Sequence, residues 1–351
     1  MNKLMLEKLS QNPLPFFHSS AKSDDTVVYS GITLTRNLSN TPFPAGAAED
    51  VCIRVRHAVK EALLLSGAFG DDALLLDREK LSDTEGLLLS GRRWLNKNFF
   101  TQGHAKALFI RADEKCALTV NDQDHLNLQT LRPGLHLQDM RQIIDETDNR
   151  LNEHLEYAFD DNFGFLTSDI TAAGTGMRVT AALHLPALFL TGGVENDIRG
   201  LKELQFDVRS FNGGKIKSSP LYLISNKYTA GGSEESIIER TNAVIKQLTG
   251  EEKLVRKELL KKNAAAILDY VGRAYGKLRY SYRISAEEAI DAVFRLQFGT
   301  VLGIFRTVDH RRINILMQKI SESNIRRESG EDISETEAEI HRAAICRQVL
   351  G

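Results

Sequence analysis

The densest run of side chains able to do chemistry is Asn121-Asp122-Gln123-Asp124-His125, five polar residues directly after a short apolar run. A polar loop on a rigid scaffold commonly carries function, and the same run also fits a solvated turn whose aspartate caps the next element. Gly174-Thr175-Gly176, ahead of Met177-Arg178, can bring backbone N–H groups and a cation to an anion, or form a turn and nothing more. No Gly-Lys-Ser/Thr follows, so it is not a Walker phosphate loop. Asp169, after Thr167-Ser168, has the chemistry of a general base and equally that of a helix cap. Asn212-Gly213-Gly214-Lys215 reads as a hairpin tip, with Lys215 and Lys217 as solvated cations or phosphate ligands. The histidines are dispersed without an HExxH pair, and Cys52, Cys116 and Cys346 are too scattered for a CxxC knuckle, so no metal site is expected.

These residues need elements to position them. Val27 to Leu34 reads as a strand, and Val51, Val55, Ala58, Val59, Ala62 and Leu63 recur at helical spacing. Lys106 to Arg111 and Cys116 to Asn121 form a hairpin pattern across Ala-Asp-Glu-Lys. A helix is expected from about Gln138 to Phe159, with strands at Phe163 to Thr167 and Arg178 to Leu185. Strands and helices alternate irregularly, which favours α+β over a βαβ repeat. From Ser233 the apolar spacing becomes helical and stays so to the end, except for a polar stretch, Ser321 to Glu337, expected as an exposed loop before a last helix, Ala338 to Leu350. The expected divisions are a loosely held lead-in over 1–25, a first domain over 26–250 and a helical domain over 251–351.

Composition narrows the function classes. A chain of 351 residues, 42% hydrophobic and 26% charged, buries a large core and has length for two domains. A net charge of −2 gives no global pull towards nucleic acid or an anionic membrane. No run approaches the roughly 18 apolar residues of a spanning helix, and Glu7, Lys8 and two prolines interrupt the first 17 residues where a signal peptide needs an apolar run. With an odd, scattered set of cysteines, the expectation is a cytoplasmic protein with free thiols.

Several segments, in order, resemble the bacterial protein-arginine kinases of the ATP:guanidino phosphotransferase family. They are Leu34-Thr35-Arg36-Asn37 with Pro42-Phe43-Pro44, Val120 to Leu126, Phe163-Gly164-Phe165-Leu166-Thr167-Ser168, Gly174 to Arg178 running into His184-Leu185-Pro186-Ala187-Leu188, and Ile224-Ser225-Asn226. Glu339-Ile340-His341-Arg342-Ala343-Ala344 resembles the family's phosphoarginine-recognition segment. The resemblance implies an α+β fold, a curved antiparallel sheet flanked by helices, followed by a helical domain. It also implies transfer of the ATP γ-phosphate to protein arginine. That chemistry is mostly positioning and charge neutralisation, so it needs arginines and Mg on the phosphates and carboxylates on the acceptor guanidinium.

The chain departs from the pattern where the charges should be. Where the family carries two phosphate-gripping arginines, in Ser-Arg-Ile-Arg, this chain has Ser30-Gly31-Ile32-Thr33. The family's substrate glutamate falls on Gln123, its next phosphate arginine on Asn127 and its reactive cysteine on Asp169. Arg178, Arg209 and His125 remain as nucleotide-side candidates, and Glu339 and Arg342 as what is left of phosphoarginine recognition. The resemblance therefore implies an impaired kinase, a pseudokinase with a regulatory or adaptor role in protein quality control. Such a protein would need no cofactor, have protein partners, bind nucleotide weakly if at all and be able to form a homodimer. The alternatives are an active kinase using ATP and Mg, with Asp169 as a replacement carboxylate, and a module that binds phosphoarginine or another anion without catalysis.

Overall fold

The computed structural model describes residues 2–12, 14, 26–101, 103–211, 219–305, 308–330 and 332–351. The strands among them are β1 (Val27–Arg36), β2 (Leu74–Asp77), β3 (Ala107–Ile110), β4 (Cys116–Val120), β5 (Leu126–Pro133), β6 (Phe159–Asp160), β7 (Gly164–Phe165), β8 (Met177–His184), β9 (Phe206–Ser210) and β10 (Leu221–Asn226). The helices are α1 (Asn2–Gln11), α2 (Glu49–Ser66), α3 (Asp83–Gly91), α4 (Leu137–Asn152), α5 (Pro186–Thr191), α6 (Val194–Glu203), α7 (Glu234–Lys262), α8 (Ala264–Tyr280), α9 (Ala286–Val301), α10 (His310–Lys319), α11 (Glu322–Ser329) and α12 (Glu335–Leu350).

Eight strands pair antiparallel in the order β2-β3-β4-β5-β1-β8-β10-β9, and β6 and β7 make a separate hairpin. Successive side chains on a strand point to opposite faces, and β1 shows the result. Ile32 and Leu34 enter a core with Val55 and Val59 of α2, Met140 and Ile144 of α4 and Ile238 of α7. Fully burying side chains of this size contributes roughly 1.5–3 kcal/mol each. Tyr29 points the other way, into a core shared with α1, α3 and the helices α8 to α12. The far end of the first face is closed by α5, α6 and the middle of α7. The fold is thus α+β, an antiparallel sheet flanked by helices with a helical C-terminal part.

The elements differ from the sequence reading in four places. The stretch expected as a loose lead-in begins with α1, whose Leu6 and Leu9 are buried against the sheet. The rest of it, residues 13 and 15–25, lies outside the described residues. The helix expected to reach Phe159 ends at Asn152, because residues 156–158 turn back to bond with the end of β1: Ser39 N–H donates to Glu156 O and Ala158 N–H to Asn37 O. The polar stretch expected as a loop contains α11, capped by Ser321, with Ile325 buried. Finally, α7 runs unbroken through residue 250, where the division was expected. The change in the chain there is in the surface it covers, since the helices after it share a core with the sheet.

Candidate functional site

β1 lies between β5 and β8, and its register assembles the site. Thr33 is opposite Gln129 on one side and Arg178 on the other; Gly31 is opposite Leu131 and Thr180; Thr35 is opposite Asn127. Directly opposed residues project to the same side of a sheet. Gly31, Thr33, Asn127 and Arg178 therefore share one face, which continues through Ser225 to Asp207. Arg209 stands on the same face at the edge strand, where it is exposed and paired with Asp207 at 2.6 Å. The C-terminal helices cover the apolar half of this face around Tyr29, Leu131 and Ala182, and leave Thr33, Asn127 and Arg178 half-buried. Gly31 is buried, and a Cβ there would sit 3.0 Å from Thr130 O.

Two loops close over the end of β1. Asn121, in the left-handed region at φ 55°, begins the tight link between β4 and β5, and its side-chain amide donates to Cys52 O and Ala105 O. Asn37 is the node that joins this link to the loop after β7. Its amide donates to Asp124 Oδ1 at 2.6 Å and to Leu166 O, and its Oδ1 accepts from His125 N–H. Asp124 Oδ1 also accepts from Ser168 N–H at 2.7 Å, and Ser168 Oγ donates to Gln123 O. This clamp sets Gln123, which is exposed, beside the Ser168-Asp169 turn. Neither acid flanking Gln123 is free: Asp124 is buried in the clamp, and Asp122 pairs with buried Lys106 at 3.0 Å.

Asp169 caps the single helical turn 170–172, its Oδ1 accepting from Thr171 N–H at 2.9 Å and from Thr171 Oγ1 at 2.8 Å. These bonds, with a smaller pull from Arg178, hold its carboxyl below the usual carboxylate range. Asp169 is thus seen as the cap, with Arg178 near enough to feel its charge. Arg178 itself makes no hydrogen bond or ion pair with any described residue.

Three expectations are corrected. His125 does not line the face: it is fully buried, its Nδ1 accepts from Leu38 N–H, and Nε2, the protonated nitrogen, donates to Pro42 O at 3.1 Å. Burial lowers its pKa, so it stays neutral and holds the loop. The Gly174-Thr175-Gly176 segment is a turn and not an anion nest. The N–H groups of Gly174, Thr175 and Met177 are taken by Phe165 O, Thr229 O and Thr175 Oγ1. Arg342 and Glu339 are spent within the C-terminal helices. Arg342 is 2% exposed and donates to Ile320 O and Ile284 O while pairing with Glu322, and Glu339 pairs with Arg283 at 2.8 Å. Lys215 and Lys217 lie outside the described residues.

The sequence reading passed over Asn37 as a node and Lys106 as the partner of Asp122. The one available signal was that each flanks a strand end next to a polar loop. The described residues of this face offer few cations to a triphosphate. Gly31, Thr33 and Asn127 carry no charge, Arg209 is neutralised by Asp207, and no group of three His, Cys, Asp or Glu that could hold a metal ion occurs among the described residues.

Comparison with known proteins agrees with this architecture. Residues 57–255 match the family model "ATP:guanido phosphotransferase, C-terminal catalytic domain", and residues 264–351 match "Protein-arginine kinase McsB C-terminal domain". A protein-arginine kinase of Moorella thermoacetica is 33% identical over 340 residues, covering 96% of this chain and 97% of its own. One from Clostridium acetobutylicum is 29% identical over 336 residues, covering 95% and 99%. Among solved structures, a lombricine kinase superposes with a TM-score of 0.58 at 16% identity, covering 73% of this chain and 78% of that one. The duplicated taurocyamine kinase of Schistosoma mansoni gives 0.60 at 14% identity, over 87% of this chain and 49% of that one. At such identities the structural likeness concerns the fold alone.

Proposed function

The chain belongs to the ATP:guanido phosphotransferase family, among the protein-arginine kinases, and from that premise we propose that it is a catalytically impaired member acting as a regulatory or adaptor protein. The observation that carries this reading is the composition of one sheet face. Gly31, Thr33 and Asn127 stand where the resemblance calls for phosphate arginines, beside an Arg178 that bonds to no described residue. Each charge-assisted hydrogen bond contributes about 1.5–3 kcal/mol, so three missing arginines cost roughly 5–9 kcal/mol of phosphate binding. A loss of that size turns a micromolar site into one weaker than millimolar. At the acceptor end Gln123 offers an amide, which matches a guanidinium poorly, and neighbouring Asp122 and Asp124 are already bonded.

The role proposed with it is cytoplasmic, in protein quality control, through protein partners, for a chain able to form a homodimer. ATP and Mg enter only if the face is active. The test is a calorimetric titration with Mg-ATP beside a transfer assay with radiolabelled ATP and an arginine-rich protein. The expected result is no saturable binding below millimolar and no acid-labile incorporation.

A second reading, an active arginine kinase, has one observation in its favour: Asp169 is held ionised within electrostatic reach of Arg178. Acid-labile incorporation at rates of ordinary kinases, abolished by Asp169→Ala, would establish it and overturn the first.

A further inference from the structure

Where α4 ends, the chain turns through Glu153 to Ala158 into the β6–β7 hairpin, and a groove of about 530 Å³ opens between the two. Leu155, Tyr157, Phe159 and Phe165 make its apolar wall, and Glu153 and Glu156 stand on its rim. The aromatic rings are arranged edge to face, Phe159 to Phe165 at 5.2 Å and Tyr157 to Phe165 at 6.1 Å.

Two features set this groove apart from ordinary surface. Phe159 is 56% exposed and Phe163, in the hairpin turn, 70% exposed, although large aromatics gain most from burial. The hairpin that holds them out is pinned by hydrogen bonds. Phe165 exchanges both backbone hydrogen bonds with Gly174, Leu166 N–H donates to Ala158 O, and Asp160 Oδ1 accepts from the N–H groups of Asn162 and Phe163. Gly164, at φ 72°, lies so close to Gly174 that a Cβ would come within 2.5 Å of Gly174 O. The charge is also one-sided. Glu153, Glu156, Asp160 and Asp161 fall within nine residues and none pairs with a cation among the described residues, while the lining offers only His154 as a titratable base. On the inner side of the wall the chain already shows the recognition involved: the Arg36 guanidinium lies 3.6 Å from the centroid of the Phe165 ring.

We propose that this groove docks a basic, extended segment of a partner protein, its arginine or lysine side chains against the carboxylates and aromatic faces and its apolar side chains on Leu155 and Phe159. Charge complementarity selects this occupant. An acidic segment meets the carboxylates of Glu153 and Glu156 in the lining, with Asp160 and Asp161 beyond them in the chain, and a purely apolar one leaves them without counter-charge. The inference does not depend on whether the sheet face is active.

The test is fluorescence anisotropy on the full chain with two labelled dodecapeptides, one alternating arginine and leucine and one alternating glutamate and leucine. The expected result is that the basic peptide binds at least tenfold more tightly. Glu153→Lys with Glu156→Lys weakens it at least tenfold, and Phe159→Ser weakens it several-fold without changing charge. The comparison pair is Glu287→Lys with Glu335→Lys, exposed positions on the first turns of α9 and α12 that give the same change in net charge. All these side chains are exposed, and a thermal melt checks that each variant folds. Equal binding of the two peptides, no binding, or an equal loss in the comparison pair overturns the proposal. Mg-ATP takes no part in the experiment, so its failure leaves the reading of the sheet face where it stands.

Discussion

Along β1, two residues separate Thr33 from Arg36, yet they belong to regions that treat charge in opposite ways. Arg36 is 2% exposed and each of its three nitrogens is bonded: Nε and Nη2 to Asp148 at 3.1 and 2.8 Å, Nη1 to Thr35 O and Thr175 O, with Glu234 3.7 Å from Nη2. Asn37, Asp124 and His125 beside it are equally committed. Thr33, on the other face, is half-buried beside Arg178, which bonds to no described residue. Removing a buried charge strands its partner in a low dielectric, whereas a half-exposed one is lost at little cost to the fold. A framework of buried ion pairs such as this can therefore persist where half-exposed charges do not, and retention of the fold is no evidence of activity.

The largest effect should come from breaking the first region. Arg36→Met leaves the Asp148 carboxylate buried without its main partner and should cost about 3–5 kcal/mol, read as a shift in the urea midpoint. A cost near that of a surface substitution would remove the basis of the comparison.

The second prediction rebuilds charge on the other region. Thr33→Arg with Asn127→Arg places two guanidinium groups on the face with Arg178, and Mg-ATP affinity should rise tenfold or more, about 1.4 kcal/mol. Gly31 is left alone, because its Cβ would press on Thr130 O. Transfer should stay undetectable until Gln123→Glu adds a carboxylate for the acceptor. No gain in affinity on titration would mean that the face does not present those side chains to a nucleotide.

How much of this was legible in the sequence follows the same division. Strand alternation and helical spacing located β1, α2, the β3–β4 hairpin, β8 and the start of α7, because each follows one period of apolar residues. The positions of the face were legible only through the resemblance, since Gly31, Asn127 and Arg178 meet by register across a sheet and not by spacing along the chain. The errors were contacts that no local pattern carries. His125 was a nucleotide-side candidate only through the resemblance, and only the fold shows that Leu38 N–H and Pro42 O take both nitrogens. Arg342 was a recognition candidate likewise through the resemblance of its segment; the carbonyls that consume it come from Ile284 and Ile320, 58 and 22 residues away.

The third prediction uses pH to probe the buried region. Burial lowers the pKa of His125 below its usual 6.5, so its contribution to stability is present above 6.5 and is lost as pH falls through the lower folded value. His184, fully buried and pushed down to about 3, acts in the same sense between 6.5 and about 3. Glu252 acts in the opposite sense. Burial pushes it up to about 7, so its contribution is complete below 4.5 and fades as pH rises through about 7. Comparing His125→Asn with the parent chain cancels the other two. The variant keeps an acceptor for Leu38 N–H and cannot be protonated, so its melting temperature should fall less between pH 7 and pH 5. Equal slopes would mean that His125 does not titrate with unfolding.

The smallest effect is expected at Arg178, and it bears most directly on the comparison. Arg178 is directly opposite Thr33, is half-buried and bonds to no described residue, so Arg178→Met removes a charge that holds no described residue in place. Its stem can still lie along the strand as methionine, and the change in stability should fall within about 0.5 kcal/mol, as for a substitution away from any buried network. The electrostatic consequence is separate. Asp169 loses the cation that adds to the pull of Thr171, so its pKa should rise slightly towards that of an ordinary aspartate, while its two bonds to Thr171 keep it low. Carbon-detected NMR titration of the Asp169 carboxyl reads that shift, and the urea midpoint reads the stability. A stability loss at Arg178 comparable to that at Arg36 would make the face part of the framework. Its substitutions would then have to be explained as repacking, and not as charges that the fold was free to lose.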